Sequence, residues 1–204
     1  MKSNLIFLTI LLLASSNVNA APDVKAFIDG DRTAFSTLNH KKSKGLNMEF
    51  AYPKGWVAKE GEKPNIVQKF VSESGMEMVA ITVKTLPTPA GTKVTEEEMK
   101  EFFTEDALRE MVPDGAKVFM AKPTKVEGLP AGMIEYSVKA ERLGVVVETH
   151  AINFMFIYGS NLVSVSFSVM GMPDSKIKVE DRVKELRPIF LAMANRILLP
   201  DKWK

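Results

Sequence analysis

The feature that most constrains the fold is a series of long alternating segments in the second half of the chain. In residues 133–142, Ile134 shares one face with Tyr136, while Glu135 shares the other with Ser137. This period of two is typical of a β-strand. It recurs in residues 162–170, and a third strand is predicted over residues 145–158. Turn sequences at residues 143–144 and 159–161 separate the three strands.

A second block of strands precedes these. Met48, Phe50 and Tyr52 alternate with their neighbours and predict a strand. Residues 66–72 and 76–86 predict two more, separated by hairpin residues at 73–75. Residues 117–126 predict a further strand, bulged or interrupted at Pro123.

Two helical patterns complete the regular structure. Thr95 and Glu98 have the spacing of a capping box, and apolar residues then recur at helical intervals up to Met111. A final helix is predicted from about Ser175, kinked or split at Pro188, which lacks an amide hydrogen. Because strands and helices come in blocks, the pattern favours an antiparallel sheet with helices packed on it, an α+β layered domain.

The first twenty residues have the order of a secretory signal peptide. A short positive start is followed by an apolar run over residues 5–14, and small residues at 18–20 suit cleavage after Ala20. The apolar run is about half of the roughly 20 residues needed to span a bilayer, and no later stretch is long enough. We therefore expect a periplasmic or secreted protein without a transmembrane anchor after cleavage.

The sequence divides into three regions. The signal peptide occupies residues 1–20, an N-terminal connector residues 21–44, and a globular domain residues 45–204. Apolar residues on both sides of Gly30 could form a short helix or two within the connector. Its end, residues 40–44, is a basic run that is typical of a solvated segment.

Composition excludes several classes of function. The chain has no cysteine, so disulfides, thiol catalysis, thiolate metal sites and a lipid-modified cysteine are all excluded. Its formal net charge is +2, and signal-peptide removal takes away only Lys2. A surface of mixed, nearly balanced charge argues against nucleic acid as a partner and against strong attraction to anionic lipid.

The chain has two histidines, a residue type that often binds metal ions. His150 shares a strand face with Glu148, at a spacing that two ligands could use, but no third ligand follows at a readable spacing. A structural histidine, partly buried or exposed, is the favoured interpretation. His40 lies in the basic run and is most simply exposed.

Other reactive side chains also favour structural interpretations. Ser164, Ser166 and Ser168 form a stripe without a nucleophile-elbow motif, which suits a polar face or a close seat for a helix. Met170 and Met172 have the spacing of a copper-binding pair, but most methionines lie on apolar faces and fill the core. The glutamates at 96–98 form a solvated first helical turn. We therefore predict no catalytic residue, no cofactor and no metal, and a protein that is not an enzyme.

Residues 44–56, which read KGLNMEFAYPKGW, resemble the opening of the PsbP family. Domains of that family begin with a glycine, a short alternating strand and a Tyr-Pro-x-Gly-Trp turn, matched here by Tyr52, Pro53, Gly55 and Trp56. The later order of elements is also similar, so the resemblance covers residues 44–199. The four matched residues are interpreted as fold-defining.

The resemblance implies an α/β/α sandwich with a central antiparallel sheet and helices on both faces. The family is similar in fold to a nuclear-import factor that binds Ran and includes bacterial exported proteins of unknown role. It implies binding, assembly or stabilisation rather than catalysis. Residues 21–44 match no motif of the photosystem members, so no metal, chloride or photosystem role carries over.

These observations predict an exported, non-catalytic accessory protein that binds another protein or an envelope component of unknown identity. One alternative is a small-ligand or lipid carrier, because residues 151–158 are rich in aromatic and methionine side chains that could line a pocket. Another is a hydrolase whose polar residues converge only in three dimensions.

Overall fold

The computed structural model of the protein describes residues 21–87, 94–142, 144–172 and 178–203. The strands are β1 (Arg32–Ser36), β2 (Glu49–Pro53), β3 (Val57–Glu60), β4 (Ile66–Val71), β5 (Glu77–Thr85), β6 (Lys117–Val126), β7 (Leu129–Arg142), β8 (Val145–Tyr158) and β9 (Asn161–Gly171). The helices are α1 (Val24–Asp29), α2 (Glu96–Phe102), α3 (Glu105–Glu110) and α4 (Val179–Ala194), followed by a 3₁₀ helix (Pro200–Trp203).

The fold is mixed α/β with a large antiparallel sheet. Seven strands form this sheet in the order β3-β4-β5-β9-β8-β7-β6, and β1 pairs with β2 separately. Every neighbouring pair is antiparallel. The predicted strands in the second half of the chain are confirmed, and β8 has the predicted bounds. The turn position Leu143 lies outside the described residues.

Side chains from alternate positions of the sheet form two separate apolar clusters. Phe154 and Phe156 of β8 join the larger cluster, to which α4 also contributes. The intervening Met155 and Ile157 join a smaller cluster with Phe103 and with Leu108 of α3. Because successive side chains of a strand point to opposite faces, the two clusters lie on opposite faces of the sheet. Helix α4 contacts β8 and β9, whereas α2 contacts β7 and α3 contacts β6 and β7.

Residues 21–44 hold two elements, one of them unpredicted. Helix α1 agrees with the expected short helix before Gly30, and its Phe27 is fully buried in the larger cluster. Strand β1 was missed; it pairs with β2 and places Phe35 opposite Phe50. Four of its five residues suit a solvent-facing segment, which is why periodicity did not reveal it. The division of the chain at residue 44 stays a prediction.

The first long helical pattern forms two helices rather than one. The capping box of Thr95 and Glu98 is confirmed. The pattern then breaks because the side chain of Thr104 accepts a hydrogen bond from the Ala107 amide and begins α3 as its N-cap. Threonine makes such local bonds readily, so it favours a new helix start over a helix interior.

Neither proline breaks its strand or helix as predicted. The register shift in β6 lies between Val118 and Met120, whereas Pro123 pairs regularly with Gly132. Strand β6 is at the edge of the sheet, where proline is tolerated. Helix α4 runs through Pro188 without a break, so the predicted split is absent from this described helix. Its predicted start at Ser175 lies outside the described residues.

Gly132 controls how closely α3 approaches the sheet. A methyl group at this position would clash with the side chains of Leu108 and Phe103. We expect Gly132→Ala to lower the free energy of unfolding by about 1–3 kcal/mol through overpacking, measured by urea denaturation. The loss should be smaller when Gly132→Ala is made in a Leu108→Ala background, where the methyl group has room. Equal losses in the two backgrounds would rule out this contact as the cause.

Candidate functional site

The described part of the protein contains a groove of about 250 Å³ between α1, the turn after β2, the β4–β5 hairpin and α4. Its lining combines charged and apolar side chains: Pro22, Asp23, Ala26, Phe27, Asp31, Pro53, Lys54, Gly55, Trp56, Ser72, Glu73, Glu77 and Arg182. These residues come from four separate parts of the chain, so only the folded protein brings them together.

A buried ion pair forms the floor of the groove. Nε of Arg182 on α4 donates to Oε1 of Glu77 on β5 over 2.6 Å, and both side chains are almost fully buried. Ser72 and Ser74 also donate to the Glu77 carboxylate. Nη1 of Arg182 donates to Oε2 of Glu185 over 2.8 Å. The floor therefore consists of charged groups that already have partners.

The floor stays charged because its hydrogen bonds outweigh desolvation. Burial alone would raise the pKa of Glu77, but hydrogen bonds from Ser72, Ser74 and Arg182 and the charge of the guanidinium lower it overall. Removing one member of such a pair leaves an uncompensated buried charge, typically at a cost of about 3–5 kcal/mol. The pair thus fixes α4 relative to β5.

The turn that carries the family resemblance forms one wall. Tyr52 stacks on Phe70 with ring centroids 4.3 Å apart. Gly55 has a φ of +91°, a backbone conformation that side chains with a Cβ rarely adopt. The Trp56 amide donates to the Pro53 carbonyl over 3.2 Å, and the indole packs against the larger apolar cluster. Residues interpreted as fold-defining therefore also line the groove, which the sequence did not indicate.

The rim of the groove carries more acidic than basic side chains. Asp23 caps α1 by accepting a hydrogen bond from the Lys25 amide. Asp31 lies 3.7 Å from Nζ of Lys54, and both side chains are exposed. Glu73 adds a third carboxylate. A rim of this charge favours a ligand or partner surface that carries cationic groups.

A second polar cluster lies beneath α4 near the other edge of the sheet. Nε2 of His150 on β8 is 2.8 Å from Oε1 of Glu135 on β7. The same oxygen accepts a hydrogen bond from Nη2 of Arg187 on α4. The His150 ring stacks on the Phe119 ring with centroids 4.8 Å apart. Nζ of Lys117 lies over the Phe119 ring, 4.9 Å from its centroid.

Glu135 is ionised although it is buried. Burial alone would raise its pKa, but hydrogen bonds from His150 and Arg187 outweigh it and lower the pKa to about 2. His150 is only 5% exposed, so the expectation of a partly buried or exposed histidine understated its burial. Its Nδ1 is buried without a hydrogen-bond partner among the described residues.

The structure does not pair His150 with Glu148. Glu148 lies 4.0 Å from Lys139, an ion pair with the neighbouring strand, while His150 binds Glu135. No three His, Asp or Glu side chains within the described ranges converge as metal ligands. Ser137 is opposite His150 in the strand register, but no hydrogen bond joins it to the buried Nδ1. This geometry lacks an accessible nucleophile–base pair.

The remaining candidate residues have structural contacts. Ser168 donates to the Met78 carbonyl over 3.3 Å. Glu96 pairs with Lys100 at 2.9 Å on an exposed helix surface. Nδ1 of His40 accepts from the Lys42 amide over 3.2 Å. Met172 is exposed at the end of β9.

No protein-family model matches the chain, and no curated protein sequence matches it significantly. The resemblance to the PsbP family therefore rests on the residues quoted above. Among the helices that the structure describes, none is long and apolar enough to cross a membrane.

Several solved structures share features of the fold at low sequence identity. A point mutant of the protein Mog1 is 11% identical, with 82% of this chain and 95% of that chain covered and a TM-score of 0.46. Protein PA94 of unknown function from Pseudomonas aeruginosa is 8% identical, with 83% and 97% covered and a TM-score of 0.36. A Bacteroides thetaiotaomicron protein is 15% identical with a TM-score of 0.35; the match covers 68% of this chain but 43% of that protein. None of these likenesses carries an argument about function.

The lowered pKa of Glu135 predicts a specific acid sensitivity. The carboxyl has an ordinary pKa of 4.5 when unfolded and about 2 when folded, so its stabilisation is present above pH 4.5 and is lost as the pH falls toward 2. Between pH 5 and pH 3 we expect the wild type to lose about 2 kcal/mol more unfolding free energy than Glu135→Gln.

Urea denaturation at the two pH values measures this difference. Glu148→Gln, on the same strand face as His150, is the control for loss of one carboxylate from the chain. Identical pH dependence of the wild type and Glu135→Gln would contradict the assignment of Glu135 as a charged anchor.

Proposed function

We propose that the protein is an exported, non-catalytic accessory protein that binds a partner protein or envelope component through the groove beside Trp56. The observation that carries the proposal is the construction of this groove. It has a rigid ionic floor, the aromatic side chain of Trp56 in one wall and an acidic rim. An aromatic anchor within a polar rim is typical of protein-binding sites.

Export enters the proposal through the first twenty residues. Their order is that of a secretory signal peptide with cleavage after Ala20, so the partner is sought in the periplasm or outside the cell. The placement of α4 against β8 and β9, of α2 against β7 and of α3 against β6 and β7, supports the proposed α/β/α sandwich. The resemblance to the PsbP family supports a non-catalytic role.

The chemistry of the groove also supports binding over catalysis. Glu77 and Arg182 are held by each other, by two serines and by Glu185. A general acid or base must exchange a proton at the working pH, and a carboxylate with a lowered pKa between these donors is poorly suited to do so.

Neither alternative function is favoured by a specific contact. The aromatic, methionine and isoleucine side chains of residues 152–158 pack into or against the two apolar clusters. They do not line the groove, so the structure gives a carrier role no additional support. A hydrolase would need a substrate to reach His150, whose ring is covered by Phe119.

A cross-linked pull-down tests the proposed binding site. The mature protein, incubated with envelope extract and captured after mild cross-linking, should enrich a specific partner. Asp31→Lys reverses the charge of an exposed acidic rim residue and should reduce enrichment of a cationic partner surface. Trp56→Ala removes the indole from the wall and should reduce enrichment at least about tenfold, as expected for a central interface residue.

The chain offers a matched control. Trp203 is the only other tryptophan in the sequence; it is 73% exposed and outside the groove lining. Trp203→Ala should leave enrichment unchanged, and thermal melts should show that both rim variants are folded. A partner captured equally well by all variants would exclude the groove, and repeated failure to enrich any partner would contradict a binding function.

A further inference from the structure

The nitrogen of Ala21 lies at the end of an ionic chain that runs into the groove. It donates a hydrogen bond to Oε1 of Glu185 over 3.4 Å. The other oxygen of Glu185 accepts from Arg182 over 2.8 Å, and Arg182 in turn donates to Glu77. A residue at the start of the described chain is thus connected to a buried carboxylate of the central sheet.

The same nitrogen changes its charge if the signal peptide is removed after Ala20. In the precursor it is a neutral amide with one hydrogen. In the mature chain it is an α-amino group with an ordinary pKa of about 8, so it is mostly protonated at neutral pH. Its hydrogen bond to a carboxylate then becomes charge-assisted, which is roughly twice as strong as a neutral one.

We propose that Glu185 is the binding site for the mature amino terminus, and that signal-peptide cleavage tightens the docking of α1 onto α4. This inference rests on the proposed export and cleavage after Ala20, but not on partner binding. It assigns Glu185 a role in maturation that requires no additional ligand.

The position of α1 gives this pairing structural consequences. A helix of six residues is too short to be stable by itself, so α1 depends on its tertiary contacts. Phe27 is buried in the larger cluster, and Arg196 donates to the Ile28 carbonyl over 3.1 Å. Pro22 and Asp23, directly after the new terminus, line the groove. Fixing Ala21 therefore also fixes one wall of the groove.

The charges around the amino terminus explain why Glu185 can bind the protonated amine of Ala21. Arg182 contacts one oxygen of Glu185 and leaves the other facing Ala21. Glu77 balances Arg182 from the sheet side, and Asp23 lies two residues further along the chain. The carboxylates of this network outnumber its guanidinium group, so a second cation restores a closer charge balance.

A double-mutant cycle on the mature protein tests the pairing. One change acetylates the Ala21 amine, which restores the neutral amide of the precursor; the other is Glu185→Gln, which keeps the shape of the side chain. The readouts are the pKa of the amine, from NMR titration of Ala21, and amide hydrogen exchange in α1. Glu180→Gln, on the same helix, is the matched control.

With Glu185 present, we expect the pKa of the amine to be higher by about 0.5 than in Glu185→Gln, as for a partly exposed ion pair. Acetylation should increase exchange in α1 about threefold in the wild type and in Glu180→Gln, but not in Glu185→Gln. Since Glu185→Gln also weakens the contact with Arg182, the difference between the two backgrounds isolates the contribution of the amine.

Two results would overturn the inference. One is an equal pKa of the amine with and without Glu185. The other is an intact mass of the exported protein that does not correspond to a chain starting at Ala21. Neither measurement involves a partner protein. A pull-down that captures no partner would therefore not contradict the docking of the amino terminus on Glu185, and a negative titration would not affect the pull-down.

Discussion

The attachment of α4 to the central sheet is the interaction on which the rest of the structure depends. Leu186, Ile189, Phe190 and Met193 are completely or almost completely buried, and Phe190 packs against Phe167 of β9 with ring centroids 5.3 Å apart. Each large apolar side chain buried in this way contributes about 1.5–3 kcal/mol. This apolar contact supplies most of the free energy that holds α4 on the sheet, but it does not fix the orientation of the helix.

Two arginines on α4 form ion pairs that fix its orientation on the sheet. Arg182 reaches Glu77 on β5 and Arg187 reaches Glu135 on β7, and in the sheet these strands lie on either side of the β9–β8 pair. The helix is therefore held at both margins of its apolar contact. Buried ion pairs add little net stability compared with apolar replacements. Our interpretation is that their role here is to fix the position of α4, which in turn fixes the floor of the groove.

The sequence predicts the sheet far better than the site, and the reason is physical. Alternation and turn residues are local signals, so β8 and its neighbours could be located closely. The site depends on pairs such as Glu77 with Arg182, which are 105 residues apart, and no local spacing encodes such a contact. Trp56 stands out in the sequence only because its turn resembles that of a known family, and this resemblance does not indicate that it borders a groove.

The burial of Glu135 could not be predicted from the alternating pattern of β7. Its alternation with Ile134 marks a polar face of β7, which would ordinarily be solvated. In the folded protein Arg187 of α4 contacts Glu135, which is only 3% exposed. A buried carboxylate of this kind could have been suspected only together with its cations, Arg187 and His150, which come from other elements.

The two buried carboxylates have similar partners but different surroundings, and this difference bears on function. Glu77 borders open space, and each of its neighbours in the network is itself paired. Glu135 is closed off by α4 and by the stack of Phe119 on His150. The carboxylate that a ligand can approach is thus not available for proton transfer, and the one next to a histidine cannot be approached. This separation of access from reactivity is one reason why we propose a binding function for the groove.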